Sequence, residues 1–330
     1  MISKPIMMPL KIITMHRFPL LFLFVLVGFS GIQISCNPIS METISDIEST
    51  YDGITKVNVN GGALEISYTG RDEAEEVVLN AFVEASDSQM EGVTVKKIGE
   101  ELFVDFEPRD DFGSFFSSFK VKGFISITGP SDMALNINNS SGTMEVFNVE
   151  NEDIVLKGSS GKIEAENLRS PNLSVRISSG KLELENIQGD LNLELSSGMG
   201  TLEGMKGNVK FRGSSGMVVL TDIDGLVSGS MSSGKADLNE ITELGEISLT
   251  SGMLVANDCG LGPETNLSAS SGYMKINTSS SLKDYNYDFK VGSGRLSIGD
   301  QSSSDDLLID NAAEVTIKGK IQSGKMVIDD

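Results

Sequence analysis

The sequence predicts an all-β protein built as a parallel β-helix, or β-solenoid, with rungs of about 18–19 residues. Three observations support this fold class. A Ser-Gly signature recurs along the second half of the chain, and apolar and polar residues alternate between its copies. The 330 residues also include 35 glycines and no tryptophan, a composition typical of turn-rich β proteins.

The first 35 residues have the features of an export signal. Three basic residues and no acidic residue precede an apolar run from Phe18 to Ile32. A basic segment before an apolar run of this length is typical of a secretory signal peptide, and the run is short for a membrane span. We therefore predict a signal peptide over residues 1–35, with Met15 as an alternative start.

The apolar run ends in Gln33-Ile34-Ser35-Cys36, which resembles the lipobox of bacterial lipoproteins. Gln33 departs from that pattern, in which an aliphatic residue is usual. We predict that Cys36 is lipidated, that residues 36–49 form a tether, and that the exported protein is held at the cell envelope, on the outer membrane. An ordinary signal peptide that contains a cysteine is the alternative.

The Ser-Gly repeat defines the domain organisation. Its glycines follow one another at intervals of 18 to 22 residues, with a last interval of 30. They are Gly142, Gly161, Gly180, Gly198, Gly216, Gly234, Gly252, Gly272, Gly294 and Gly324. Because a fixed short period is typical of solenoids, we assign residues 50–330 to one β-solenoid domain. Residues 50–135 form a less regular β section that covers the first rung, and residues 136–330 form the Ser-Ser-Gly rungs.

The unit from Gly180 to Gly198 shows how a rung is built. Leu182 and Leu184 alternate with charged residues in a first strand, a turn follows around Ile187, and three alternating leucines form a second strand. Stacking such units in parallel would bury one continuous apolar column. The recurring glycine is explained by a corner that needs either positive φ or close backbone approach, and the paired serines by a stacked ladder.

Histidine and cysteine offer little chemistry in this chain. The only histidine, His16, lies in the predicted signal peptide, so the simplest acid–base and transition-metal sites are excluded and no cofactor is expected. Cys259 occupies the rung position of Ile187 and is predicted to be a buried apolar residue rather than a reactive thiol. Removing three positive charges with the signal from a net charge of -21 leaves -24, which argues against nucleic acid as a partner.

Some segments depart from the repeat. Insertions near residues 279–285 and 301–314 are polar and predict protruding loops or a partly doubled rung. Between residues 109 and 119, four aromatic residues have helical spacing, and they form either an exposed contact loop for a membrane or partner or a hydrophobic cap on the solenoid, which we favour. These aromatic residues are Phe112, Phe115, Phe116 and Phe119.

The stretch ISITGPSDMALNINNSSGTMEV at residues 125–146, together with the repeats that follow, resembles a known bacterial family. This is the putative-adhesin family of β-strand-repeat domains of unknown function, grouped with the toastrack-like and head-GIN-like domains of envelope-stress systems. The resemblance covers roughly residues 50–330. It implies an extracytoplasmic β-helix-like domain and supplies no catalytic motif.

We therefore predict a noncatalytic binding or scaffolding module of the cell envelope, which contacts an unidentified protein or glycan partner through the solenoid faces and the membrane through the lipid anchor only. The absence of tryptophan favours a protein over a glycan, since Tyr273, Tyr285 and Tyr287 are the only tyrosines close together in the later rungs. An envelope-stress regulatory role through a partner is an alternative.

A β-helix polysaccharide-active enzyme is the remaining alternative. For that function, outward carboxylates at one rung position would form a catalytic row. These residues are Glu145, Glu164, Glu183 and Asp237. A solvated face or a weak cation site is the simpler interpretation of such a row.

Overall fold

The computed structural model describes residues 40–86, 90–106 and 120–330. These residues form twenty-six β-strands, one short 3₁₀ helix, Leu282–Asp284, and the loops between them. The all-β prediction is confirmed for this part of the chain. The strands are β1 (Glu42–Asp52), β2 (Lys56–Asn60), β3 (Glu65–Arg71), β4 (Glu76–Ala85), β5 (Thr94–Ile98), β6 (Glu101–Asp105), β7 (Val121–Pro130), β8 (Ala134–Asn139), β9 (Thr143–Glu150), β10 (Ile154–Gly158), β11 (Lys162–Arg169), β12 (Leu173–Ile177), β13 (Lys181–Gln188), β14 (Leu191–Leu195), β15 (Met199–Lys206), β16 (Val209–Gly213), β17 (Met217–Met231), β18 (Lys235–Leu249), β19 (Met253–Ala269), β20 (Tyr273–Thr278), β21 (Tyr285–Val291), β22 (Arg295–Ile298), β23 (Gln301–Ser303), β24 (Leu307–Ile309), β25 (Val315–Ile321) and β26 (Lys325–Asp329).

Each rung contributes one strand to each of two stacked sheets. We call face A the outer surface of the stack that contains β8, β10, β12, β14 and β16, and face B that of the stack that contains β9, β11, β13 and β15. The long strands β17, β18 and β19 cross both stacks. The pairing between successive rungs is parallel, as predicted, with Ile163 opposite Met144 on one side and Leu182 on the other.

The core lies between the two stacks and is made by the alternation that the sequence shows. In the rung that starts at Gly180, all six inward-facing aliphatic side chains are at most 3% exposed. They are Leu182, Leu184, Ile187, Leu191, Leu193 and Leu195. Burying a leucine side chain stabilises a fold by about 1.5–3 kcal/mol, so the column of like side chains supplies the main stabilisation of every rung.

The Ser-Gly corner depends on close backbone approach. None of the repeated glycines has positive φ, so that alternative is wrong. A Cβ atom at Gly161 would lie only 1.8 Å from the backbone oxygen of Gly142 one rung away. The serines stack through their backbones rather than chiefly through hydroxyl groups, since the amide of Ser160 donates to the carbonyl oxygen of Ser140 at 2.8 Å.

Positive φ occurs at a second corner, near the end of each face B strand. Asn148, Asn167 and Asn186 have φ of 58°, 57° and 52° in three successive rungs. Asparagine tolerates this left-handed conformation better than most residues. The sequence predicts a turn around Ile187, whereas the strand bends at Asn186 and continues to Gln188 with Ile187 still buried.

The order of strands in space differs from their order in the chain at both ends. Near the N-terminus, β2 lies between β6 and β8, and β3 lies between β7 and β9. Near the C-terminus, β25 lies between β19 and β21, and β26 lies between β20 and β22. At each end, therefore, one strand pair is inserted one rung inside the stack.

Antiparallel strands close both ends of the stacks. At the N-terminal end, β5 pairs with β6, and β1 pairs with β4, which pairs with β7. At the C-terminal end, β23 and β24 from the second predicted insertion pair with β22 and β21. Covering strands of this kind prevent the edges of a sheet from pairing with other chains. The predicted covering role of the irregular section is confirmed.

The predicted tether is wrong for residues 42–49. These residues belong to β1, which uses the free edge of β4 for its backbone hydrogen bonds. Ile47 and Tyr51 pack against the core, whereas Asp46 and Glu48 between and beside them are exposed. This alternation is weak, because only one side of an edge strand is partly buried. Residues 36–39 lie outside the described part of the chain.

Candidate binding surfaces

The predicted carboxylate row exists on face B but spans only three adjacent rungs. Glu145, Glu164 and Glu183 are register partners in successive strands. The next two rungs place Thr201 and Val219 at this position before Asp237 follows. The four acids therefore do not form one continuous row.

Lysine side chains neutralise much of this row. The Nζ atom of Lys162 lies 2.5 Å from Glu164 Oε2 and 2.6 Å from Glu183 Oε2, and Lys181 also pairs with Glu183. Hydrogen bonds from Lys162 and then Lys181 lower the pKa of the Glu183 carboxyl group, and those to Glu164 and Glu183 raise the pKa of Lys162. A general acid in a glycosidase needs the opposite shift, a raised carboxyl pKa.

Residues 40–86, 90–106 and 120–330 contain no preorganised metal site. Within those ranges, no group of three or more histidine, cysteine, aspartate or glutamate residues lies in an arrangement that could hold a metal ion. The paired lysines add positive charge at the carboxylate row. These contacts favour the interpretation of the row as a solvated surface of ion pairs.

A groove crosses face A over the strands from β12 to β18 and encloses about 800 Å³. Its floor and walls are mainly small polar side chains, with basic residues on β16 and an acid on β18. The polar and charged lining residues are Asn172, Ser174, Asp190, Asn192, Asn208, Lys210, Arg212, Ser228, Ser230, Glu246 and Ser248. Sequence reasoning missed this groove, because it depends on how the small side chains of five rungs align.

A register shift accompanies the groove on its β18 side. Between β17 and β18 the pairing slips after Val227, so Gly229 is opposite Ile247. Gly229 also leaves room for the ring of Phe211, since a Cβ atom there would lie 2.3 Å from the ring. Phe211 is consequently only 2% exposed, and the groove presents no open aromatic surface among its lining residues.

The three neighbouring tyrosines do not form a shared surface. Tyr287 is fully buried and its hydroxyl group donates to the carbonyl oxygen of Leu282 at 3.1 Å. The Tyr285 hydroxyl donates to the carbonyl oxygen of Leu261 at 2.7 Å. Tyr273 has a partly exposed ring on face B, with the Lys325 Nζ atom 5.7 Å from its centroid, whereas the partly exposed Tyr285 lies in the other stack. The trio therefore offers no platform on which a sugar could stack.

Cys259 is buried, as predicted. Its side chain is 0% exposed, and its position is in register with Ile241 of the preceding rung. Burial raises the pKa of the thiol to about 11, and the Sγ atom lies 3.3 Å from the carbonyl oxygen of Asn257. A neutral, inaccessible thiol is a packing residue and a poor nucleophile.

Other residues singled out by the sequence lie outside the described part of the chain. They are His16, Cys36, Phe112, Phe115, Phe116 and Phe119. Export, lipidation and the role of the aromatic segment thus remain predictions. Among the described residues, no helix is long and apolar enough to cross a membrane.

A protein-family comparison identifies the repeated domain. The family model described as Toastrack DUF4097 matches residues 54–329, from just after β1 to the end of β26. The chain belongs to the Toastrack family. The Toastrack match covers the inserted strand pairs at both ends as well as the regular rungs, which confirms the family resemblance seen in the sequence.

Several solved structures are similar to this chain at low sequence identity, among them the following three. The crystal structure of a "putative adhesin" from Parabacteroides merdae covers 88% of this chain and 96% of its own, with 11% identity and a TM-score of 0.49. A "putative adhesin" from Bacteroides fragilis has 14% identity, coverage of 88% and 97%, and a TM-score of 0.34. A "putative lipid binding protein" from Parabacteroides distasonis has 14% identity, coverage of 88% and 97%, and a TM-score of 0.39. No curated protein sequence matches the chain.

Proposed function

We propose that this Toastrack domain is a noncatalytic binding or scaffolding module of the cell envelope, and that it holds a protein partner in the groove on face A. The groove carries the proposal, because it is a concave surface of about 800 Å³ that runs across several rungs. A solenoid can present such an extended surface without a reaction centre. In this proposal, the rigid stack positions the partner and performs no chemistry on it.

The chemistry of the groove favours a protein over a glycan. Phe211, the one aromatic residue among the groove residues, is 2% exposed, so it provides no face for a sugar ring. Serine and asparagine side chains provide many hydrogen-bond donors and acceptors, while Lys210, Arg212 and Glu246 provide charges of both signs. An extended polypeptide segment can match such a mixed lining, since its backbone also offers donors and acceptors.

A location at the envelope completes the proposal. The export signal in residues 1–35 and acylation of Cys36 would hold the domain near the outer membrane. Residues 37–41 would then be the only connection between the acylated cysteine and β1, which begins at Glu42. The partner would therefore be a protein close to the membrane surface.

The experiment that tests this function is site-specific cross-linking in the native envelope. A photoreactive amino acid is placed at Ser230 in the groove and, as the matched control, at Thr221 on face B. The expected result is a cross-link from Ser230 to one reproducible envelope protein that Thr221 does not give. The same partner should be lost from the Ser228→Arg variant, which fills the groove, and kept by Thr221→Arg.

Two results would reject the proposal. Equal cross-linking from both positions, or an unchanged partner in Ser228→Arg, would show that the groove is not the binding site. A glycan array with the same purified domain tests the other ligand class, and selective glycan binding without a protein partner would replace the proposed ligand. Turnover of such a glycan would show that the domain is an enzyme.

A further inference from the structure

Face B carries two parallel rows of outward side chains over seven consecutive rungs, from β11 to β20. The register between these strands sets one residue of each row in every rung. Row 1 consists of Lys162, Lys181, Met199, Met217, Lys235, Met253 and Tyr273. Row 2 lies two residues further along each strand and consists of Glu164, Glu183, Thr201, Val219, Asp237, Val255 and Lys275.

The two rows are matched in character within each rung. Three rungs place a lysine in row 1 and an acid in row 2, as in Lys235 and Asp237, which lie 2.7 Å apart. Two rungs place a methionine beside a valine, Met217 with Val219 and Met253 with Val255. The other two rungs pair methionine with threonine and tyrosine with lysine.

Part of this surface is apolar and open to solvent. Met199 and Met253 are each 42% exposed, although both belong to regular strands in the middle of a sheet. Val219 and Val255 are partly exposed beside them. Exposed apolar residues grouped on one face mark interaction sites, and methionine adapts well to a facing surface.

We infer that face B binds a second copy of this chain through a two-fold axis that runs parallel to the solenoid axis, between rows 1 and 2. Rotation by 180° about that axis reverses the strand direction and keeps each rung at its own level. Row 1 of one copy then faces row 2 of the other. Lys235 meets Asp237 of the copy, Met217 meets Val219 and Met253 meets Val255, so a single operation satisfies charged and apolar rungs together.

Two alternative arrangements of the same faces bring like charges together. A two-fold axis parallel to the strands through β18 would set Lys235 against Lys235 of the copy. Moving the proposed axis by two residues would set Glu164 against Glu166 and Glu183 against Glu185 of the copy. Like charges in apposition are unfavourable at an interface, so the charge pattern disfavours both of these alternatives.

The size of the surface fits a specific but small interface. Seven strands about 4.8 Å apart and five residues of about 3.3 Å each give an area of roughly 34 Å by 16 Å. Two copies would bury on the order of 1,100 Å², which is just above the roughly 1,000 Å² that separates biological interfaces from incidental contacts. The existing ion pairs within each copy reduce the cost of burying their charges.

Sedimentation equilibrium of the chain from Ser40 onward, which contains the whole described core, tests the inference. We expect the wild type to form dimers at protein concentrations of up to about 100 µM. This range reaches well above a micromolar dissociation constant. Asp237→Lys leaves lysines in both rows at the centre and should weaken dimerisation at least about tenfold. The double variant Lys235→Asp with Asp237→Lys restores opposite charges across the axis and should recover dimerisation to within about threefold of the wild type.

The control is Lys157→Asp, which reverses an exposed charge on face A outside the groove and should leave dimerisation unchanged. Thermal unfolding of every variant confirms that it is folded. A wild type that stays monomeric over the full range would overturn the inference. So would dimerisation that survives Asp237→Lys, or a double variant that is no better than the single one. Loss of the groove partner would not affect these readings, because the groove lies on face A.

Discussion

Replacing Asn167 by alanine should destabilise the solenoid by about 2–3 kcal/mol. The side chain lies in a ladder of amides: its Nδ2 atom donates to Asn148 Oδ1 at 3.0 Å, and its Oδ1 atom accepts from Asn186 Nδ2 at 2.5 Å. Each of these exposed hydrogen bonds contributes about 0.5–1 kcal/mol. Alanine at a φ of 57° adds about 1 kcal/mol of backbone strain that asparagine tolerates better.

Urea unfolding of the chain from Ser40 onward, followed by circular dichroism, measures this loss. Asn167→Gly separates the two contributions, since glycine accepts the left-handed conformation and removes only the ladder. It should therefore cost less than Asn167→Ala. Asn192→Ala is the control, because that asparagine lies exposed in the extended strand β14 and should change stability by less than about 0.5 kcal/mol. An alanine variant as stable as the glycine variant would refute the strain argument.

The remaining predictions concern the corner, the core and the ion pairs. Gly161→Ala should lower the unfolding midpoint severely or prevent folding, because its Cβ atom would lie 1.8 Å from a backbone oxygen, whereas Gly200→Ala, with neighbours no closer than 3.7 Å, should be tolerated. Cys259 should react with a thiol reagent at about pH 8 only after unfolding, since burial raises its pKa to about 11. The stability that comes from keeping this thiol neutral should be present below its ordinary pKa of 9.0 and decline as the pH approaches 11. Lys162→Met should raise the pKa of the Glu183 carboxyl group towards its ordinary value, measured by an NMR titration. In the wild type, the lowered pKa of Glu183 means that its pairing stabilises the fold above the ordinary carboxyl pKa and is lost as the pH falls.

Each of these measurements has an outcome that contradicts its reasoning. A Gly161→Ala variant as stable as Gly200→Ala would show that the rungs can separate at the corner without loss. Rapid labelling of Cys259 in the folded protein would show that the core opens locally. An unchanged Glu183 titration in Lys162→Met would mean that Lys181 alone controls this carboxyl group.

The regular rungs could be predicted from the sequence because each one repeats the same local pattern. The alternation of Leu182 and Leu184 with charged residues fixes which side of the strand is buried, and the constant spacing of the glycines fixes the parallel register. The burial of Cys259 followed from the same register. These inferences needed only short-range periodicity and the rule that like positions stack.

Other features depend on relations that the local pattern does not contain. The insertion of β2 and β25 between non-consecutive strands is a long-range pairing, and nothing in their own residues specifies the neighbours. The sequence predicts a turn around Ile187, whereas Asn186 forms a left-handed bend within a continuing strand, because asparagine favours both. The groove and the rows of face B arise only when outward residues of several rungs are aligned side by side.

The displaced last strand pair has a consequence for how the protein matures. In the finished fold β25 lies between β19 and β21, so a chain that folds as it emerges from its N-terminal end reaches β21 before the strand that separates it from β19. The edges of β19 and β21, and those of β20 and β22, therefore stay unpaired until residues 315–329 arrive. Completion of the solenoid thus depends on the final segment, and a chain without it would lack one whole rung and the strand pairing that joins the last rungs to the rest.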